Sequence, residues 1–295
     1  LKEEVLILSL FPIDFKKILD IYLFVKDFNP DLFQGWMYHG DFLATLLGII
    51  FRKPIFWNIR HGKMSLRFSS KKTIILRTFL SILSYLYPLK IISCSFCGVR
   101  VHKNIYYSKN KFKVIHNGIN LSNFQTKKIV NLANQKFITI GSVGRDSPQK
   151  NRIYFLKILS ELSNHTKIKS SIFGKGVLQS KDIRRSSFPK EINLSLNESQ
   201  IDIKEIFSKI DVLILTSLYG EGCPNVLIEA MQSGVLVFST DVGDAKYIVG
   251  DERFIIPDND PLLAASKILK VFHSKNIKQY ILNFKERSDK LFNEK

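Results

Sequence analysis

Short apolar runs rich in Ile, Val, Leu and Phe alternate along this chain with longer segments whose apolar residues recur at helical spacing. The runs at 5–8, 31–34, 54–58, 90–94 and 113–116 predict strands, and the segments 14–27 and 72–86 between them predict helices. His116-Asn117-Gly118-Ile119-Asn120 is a turn signal, and a polar stretch to Gln135 follows it. The alternation then restarts, with strands predicted at 137–143, 168–173, 192–196, 212–216, 235–239 and 254–256. Strand–helix–strand alternation implies right-handed crossovers and parallel sheets covered on both faces. The expected fold is α/β, with two Rossmann-like domains, 1–120 and 121–295, facing a cleft. Ligands of open α/β sheets bind outside the carboxyl ends of the strands. The residues just after each strand are therefore the candidates for chemistry.

A length of 295 residues suits two domains. A hydrophobic share of 45% with 24% charged residues excludes a disordered or fibrous chain. The net charge of +18 is unevenly spread: 42–145 holds eighteen Lys and Arg and no Asp or Glu, so this stretch carries the whole surplus. Such a field attracts anionic lipid headgroups or phosphorylated small molecules, and it reads equally as the solvated basic face of a lysine-rich chain. Nucleic acid is not expected, because no recognition motif and no ordered aromatic-basic interleaving is present. The apolar runs 42–51 and 78–89 are too short to span the ~30 Å of bilayer hydrocarbon. The second is flanked by Lys71, Lys72, Arg77 and Lys90, which suits either a helix lying on an anionic membrane or a buried core helix. Three cysteines make no disulfide framework, and Cys94-x-x-Cys97 lacks the second pair of a zinc site. The expectation is a cytoplasmic protein without metal or cofactor, working at the inner face of the plasma membrane.

After the strand ending at Val143 comes Gly144-Arg145-Asp146-Ser147-Pro148-Gln149-Lys150-Asn151. Ser147 before Pro148 reads as a helix N-cap, which puts Lys150 in the first turn, where the helix dipole disfavours a cation. An anion between Arg145 and Lys150 resolves that conflict, and a diphosphate fits. The run Thr216-Ser217-Leu218-Tyr219-Gly220-Glu221-Gly222-Cys223-Pro224-Asn225-Val226 leads into a helix carrying Glu229. Pro224 reads as its first residue, with the Gly222, Cys223 and Asn225 amides facing a second phosphate-suited position. Glu221 and Glu229 then flank the anion site and can reach hydroxyls on either side of it.

The run from Lys113 to Ile256 resembles the C-terminal domain of glycosyltransferase family 4. The matching pieces are 114–120, the 141–151 loop, Phe173-Gly174-Lys175-Gly176, Asp211-Val212-Leu213, Glu221-x7-Glu229 and 234–243. The resemblance implies a GT-B fold and transfer of a sugar, with retained configuration, from a nucleotide diphosphate sugar to a hydroxyl of a growing or lipid-linked glycan. It assigns Arg145 and Lys150 to the donor diphosphate, Glu229 to the ribose and Glu221 to the donor sugar. Gly144, Gly174, Gly222, Cys223, Asn225 and Val226 belong to the same donor-binding surface. Gly35-Trp36-Met37-Tyr38-His39 resembles a signature of surface-polysaccharide enzymes, of which lipopolysaccharide assembly is one kind. His61, in Trp57-Asn58-Ile59-Arg60-His61-Gly62, matches a histidine that faces the reacting sugar, while His39 reads as either a site or a core residue.

Departures from the family are also expected. A first strand, its glycine-rich loop and a further βα pair are not found ahead of Leu1, roughly 60–80 residues by the length of such units. The closing helix of the family is not evident in 276–295. Two other readings stay open: a sugar-nucleotide epimerase on the same fold, and a truncated, non-catalytic remnant that binds nucleotide or anionic surfaces.

Overall fold

The computed structural model describes residues 15–63, 70–120, 124, 132, 135–186, 192–198 and 202–293. The strand expected at 5–8 lies outside the described residues. The chain forms two compact units that interleave in sequence. One comprises the described residues of 1–59, 71–92 and 105–113; the other those of 60–70, 93–104 and 114–295. A single cut near 120 therefore does not separate them, because the segments 60–70 and 93–104 pack with the later residues.

The first unit is built on a sheet in the order β1 (Phe33–Gln34), β2 (Ile55–Ile59), β3 (Lys90–Ser93), β4 (Phe112–Val114), with Phe33 opposite Ile55 in the parallel β1–β2 pair. Helices α1 (Phe15–Phe28), α2 (Met37–Phe51) and α3 (Lys71–Leu83) accompany it, and α2 packs on β1, β2 and α3. Trp57 is fully buried against Tyr107, ring edge to face at 6.3 Å, and its indole N–H donates to Thr45 Oγ1 at 3.0 Å. Thr45 in turn donates to the Asp41 carbonyl one helical turn back. Asp41 itself is buried, and its Oδ1 accepts the Asn58 amide at 3.1 Å. A Cβ on Gly35 would overlap the Asp41 backbone, which explains glycine at that turn. His39 is exposed on α2, so it is not a core residue.

The second unit carries α4 (Phe96–Asn104) and a six-stranded sheet whose pairings are all parallel. Its strands are β5 (Ile138–Val143), β6 (Ile168–Phe173), β7 (Asn193–Asn197), β8 (Val212–Leu215), β9 (Leu236–Thr240) and β10 (Ile255–Ile256). The spatial order β10-β9-β8-β5-β6-β7 reverses direction between β5 and β8. Right-handed crossovers place helices on both faces: α5 (Arg152–Ser163), α6 (Lys181–Arg185), α7 (Ile203–Lys209), α8 (Asn225–Gln232), α9 (Ala245–Val249) and α10 (Pro261–Phe272). The inner strands β8 and β9 are buried along their whole length, which is why they read as continuous apolar runs rather than alternating ones.

The segment 276–295, in which the family's closing helix is not evident from sequence, forms α11 (Ile277–Phe292), packed on α8. Its buried face is Ile277, Ile281, Phe284, Ser288 and Phe292. A serine in the middle of the stripe hides the period; it is satisfied by donating to Gln232 Oε1 at 2.8 Å. The Phe292 carbonyl accepts the Ile119 amide, which ties the end of the chain to the 116–120 turn.

Candidate functional site

In a sheet of this order, the crevice outside the carboxyl ends of the two strands at the reversal is where ligands bind. Here those ends are Val143-Gly144 and Leu215-Thr216, and the loops after them are joined by hydrogen bonds. Thr216 Oγ1 donates to the Lys150 carbonyl at 2.9 Å, and the Leu218 amide to the Gln149 carbonyl at 2.9 Å. Gly174, with φ +150°, closes against the Gly144 carbonyl, where any side chain would clash.

The turn after β5 differs from the expected one. Pro148–Lys150 is a separate 3-10 turn, and Asn151, in the left-handed region, caps α5 with its side chain. Lys150 therefore precedes the helix, and the cation at the helix N-terminus is Arg152. Arg152 is buried, and it donates to Ser142 Oγ and the Gly144 carbonyl, both at 2.5 Å. Burial lowers its pKa to about 10, and nearby Asp146 works against that. Its role is to clamp the glycine turn from beneath. The first-turn conflict read from sequence for Lys150 therefore does not arise, and the first-turn cation, Arg152, is taken up by the Ser142 hydroxyl and the Gly144 carbonyl.

Lys150 instead pairs with Glu221, Nζ to Oε1 at 2.7 Å, in a largely enclosed position. The same oxygen accepts Ser217 Oγ at 2.9 Å and Gln149 Nε2 at 3.1 Å. Three donors thus converge on one carboxylate oxygen. Arg145 remains exposed nearby in sequence, and the buried Ser147 hydroxyl has no hydrogen-bond partner among the described residues.

Helix α8 starts at Asn225, with Pro224 in the capping position, one residue later than expected. Asn225 Oδ1 accepts Asn117 Nδ2 at 2.6 Å, and Asn117 Oδ1 accepts the Arg60 guanidinium. Glu229 lies half-buried on this helix, and burial raises its carboxyl pKa to about 6. Its carboxylate meets no hydrogen-bond donor among the described residues. Val226 beside it is partly buried.

Gly222 is hemmed in by the Arg60 carbonyl and the Cys94 sulfur, which leaves no room for a side chain. Cys223 is buried with its thiol pushed up to about 12, chiefly by burial, and Cys94 is raised for the same reason. Both therefore stay as unreactive thiols, and all three cysteines are free. His61 Nδ1 lies 3.2 Å from the Gly220 carbonyl, so Nδ1 carries the proton of that contact. Asp244 is buried, and its two oxygens accept the Phe96 and Cys97 amides at 2.7 and 2.8 Å, capping α4. Its own amide donates to the Gly222 carbonyl.

All eleven residues singled out from sequence lie in the second unit. Lys150 and Glu221 meet directly, and His61, Gly222 and Asn225 join them through the 60–62 and 217–225 segments. Gln149, Ser217, Arg152, Arg60, Asn117 and Asp244 were not singled out. Gln149 sits inside the quoted loop, but neighbours in sequence give no sign of which carboxylate a side chain reaches across 72 positions.

A family model described as glycosyl transferases group 1 matches residues 123–288, more than half of the chain. The chain belongs to this family. A curated relative in Escherichia coli, a UDP-Gal:alpha-D-GlcNAc-diphosphoundecaprenol alpha-1,3-galactosyltransferase, is 29% identical over 206 residues. That match takes in 61% of this chain and 52% of the relative, so the chain spans about half the length of the relative it matches. Among solved structures, HepE of Anabaena in complex with UDP-glucose superposes with TM-score 0.76 at 16% identity, covering 94% of this chain and 78% of that one. Sucrose-phosphate synthase of Thermosynechococcus elongatus gives 0.73 at 15% identity, covering 94% and 74%. The α/β architecture with two parallel sheets is thus the GT-B fold of these group 1 transferases.

Proposed function

We propose that this chain transfers a sugar from a nucleotide diphosphate sugar to a hydroxyl of a lipid-linked or growing glycan, with retention of configuration. The observation that carries this is the reversal point of the second sheet. There a lysine–glutamate pair and a second carboxylate without a donor stand beside the N-terminus of α8. On this reading Lys150 and Arg145 take the diphosphate, with the Gly144 turn and the Gly222-Cys223 segment around it. Glu229 accepts from the ribose, its raised pKa being the mark of a carboxylate that lacks its partner. Glu221, already anchored through one oxygen, offers the other to the donor sugar. The leaving β-phosphate takes the acceptor proton, so no protein nucleophile is invoked, and charge growing on it is met by the cations and the helix N-terminus. His61 faces the reacting sugar from the 60–63 segment.

The E. coli relative uses a UDP sugar and a diphosphoundecaprenol-linked acceptor, and the Anabaena structure holds UDP-glucose. Both favour a UDP-hexose donor and a membrane-held acceptor here, of the surface-polysaccharide kind, at the cytoplasmic leaflet. No helix among the described residues is long and apolar enough to cross a membrane. The test is calorimetry of the chain with UDP, GDP, ADP, CDP and dTDP in EDTA. One nucleoside diphosphate, UDP first, is expected to bind without divalent metal. No binding by any of the five would remove the anion site on which the reading rests.

A further inference from the structure

The turn that opens α2 is strained, and it leaves a tryptophan in water. Met37, the first residue of the helix, stands at φ +64°. Residues with side chains enter that left-handed region rarely and hold it only where their surroundings enforce it. Here the enforcement comes from both sides. The Gly35 amide donates to the Phe56 carbonyl at 2.9 Å, and a Cβ on Gly35 would overlap the Asp41 backbone. Tyr38 and Asp41 are buried under the turn, with Asp41 holding the Asn58 amide. Trp36 and His39 are the residues left outside. Trp36 is 54% exposed, in contrast to the fully buried Trp57. His39 is exposed three positions on, the spacing of neighbours on one helix face.

We propose that Trp36 and His39 form a carbohydrate subsite, in which a pyranose of the acceptor lies face-on against the indole and one of its hydroxyls bonds to the imidazole. The position suits a small ligand, because Trp36 stands just beyond the carboxyl end of β1, where open α/β sheets receive theirs. The residue types suit a sugar. A pyranose has an apolar face of C–H groups rimmed by hydroxyls; an indole covers that face, and a neutral imidazole offers the rim one donor and one acceptor. The strained turn fixes both groups before the ligand arrives, so little order is lost on binding. The nucleotide has its proposed place at the reversal point of the second sheet, which leaves the other substrate for this turn. The acceptor role rests on the transferase reading above; the sugar-binding chemistry of the turn does not.

The chain has two tryptophans and only Trp36 is exposed, so acrylamide quenching of tryptophan emission reports on this turn alone. The probes are the methyl α-glycosides of N-acetylglucosamine, glucose and galactose, with the acyclic polyol sorbitol as control. At least one glycoside should lower the quenching of the full chain toward the level of Trp36→Phe, and sorbitol should not. Ligand-observed NMR titration of that glycoside should show about tenfold weaker binding to Trp36→Ala and about fivefold weaker to His39→Ala. Trp36→Phe, which keeps an aromatic face, should retain most of the affinity. All three variants should keep the melting temperature and the nucleoside diphosphate affinity of the unsubstituted chain. Protection by none of the glycosides, or equal protection by sorbitol, would overturn the subsite without any variant. So would glycoside binding that Trp36→Ala and His39→Ala leave unchanged, or protection that follows protein concentration rather than glycoside, the sign of a contact between copies. Loss of nucleotide binding in the unsubstituted chain with glycoside protection intact would instead strike the transferase reading and leave the sugar subsite standing.

Discussion

Two carboxylates at the site are in opposite states, and each makes its own prediction. Glu229 has no donor and is held up at about 6 by burial. If it accepts from the ribose as proposed, its ionised form does so, and nucleotide affinity should be full above that pH and fall as pH drops through it. Glu229→Ala should weaken nucleotide binding by about 1.5–3 kcal/mol at pH 7.5, as for a lost charge-assisted hydrogen bond, and abolish the pH dependence. Calorimetry between pH 5 and 8 checks both, and an Ala variant that keeps wild-type affinity would make the carboxylate structural. Glu221, by contrast, is fully engaged at Oε1 by Lys150, Ser217 and Gln149. On the proposed reading, Lys150 exchanges that partner for a phosphate of the donor. Glu221→Gln should therefore weaken the sugar nucleotide while leaving the bare nucleoside diphosphate bound at least as well. If both ligands weaken equally, Glu221 acts on the diphosphate rather than on the sugar.

At the scale of elements, the loops of the second unit are set by close backbone approaches, and α2 of the first by a buried acid. Asp41 is almost wholly enclosed, and burial raises its carboxyl to about 8 against the opposing pull of the Asn58 amide. A raised pKa in the folded state means the acid is kept neutral there. The stability it contributes is full below the ordinary aspartate value and is lost progressively as pH rises from there through about 8. Asp41→Asn should remove that decline, so that urea melts of the variant change less than wild type between pH 5 and 8.5. A wild-type curve flat across this range would mean the acid is ionised and stabilised by groups other than the Asn58 amide.

For the molecule as a whole, a nucleotide that binds only the folded second unit stabilises it by mass action. At a hundred times Kd, a nucleoside diphosphate should add about 2.7 kcal/mol to the unfolding free energy of that unit. Hydrogen exchange should show the added protection in the strands and helices of 135–293. Protection confined to 15–59 and 71–92 would put the nucleotide elsewhere.

The strand–helix alternation, and with it both parallel sheets, was legible because buried parallel strands are continuous apolar runs and their crossovers carry helical period. Strands from β1 to β10 lie within one or two residues of the runs that predict them. The loop motifs were legible for a local reason too: glycines mark positions where backbone passes close to backbone. Three things were not. α11 hid behind Ser288, whose burial depends on a glutamine 56 positions away. α3 lies half-buried, with Leu80 its one fully buried large apolar residue, and which of its sides packs on α2 is settled by tertiary contact rather than by helical period. The pairing of Lys150 with Glu221, and the clamp of Arg152 beneath Gly144, depend on where the 3-10 turn ends and on which loop the reversed strand order brings alongside. Sequence alone thus determined the architecture and the residue types of the candidate site, since both arise from local period and turn chemistry. Tertiary structure decided which charge meets which, because partners 71 positions apart along the chain become neighbours only when β8 lies beside β5.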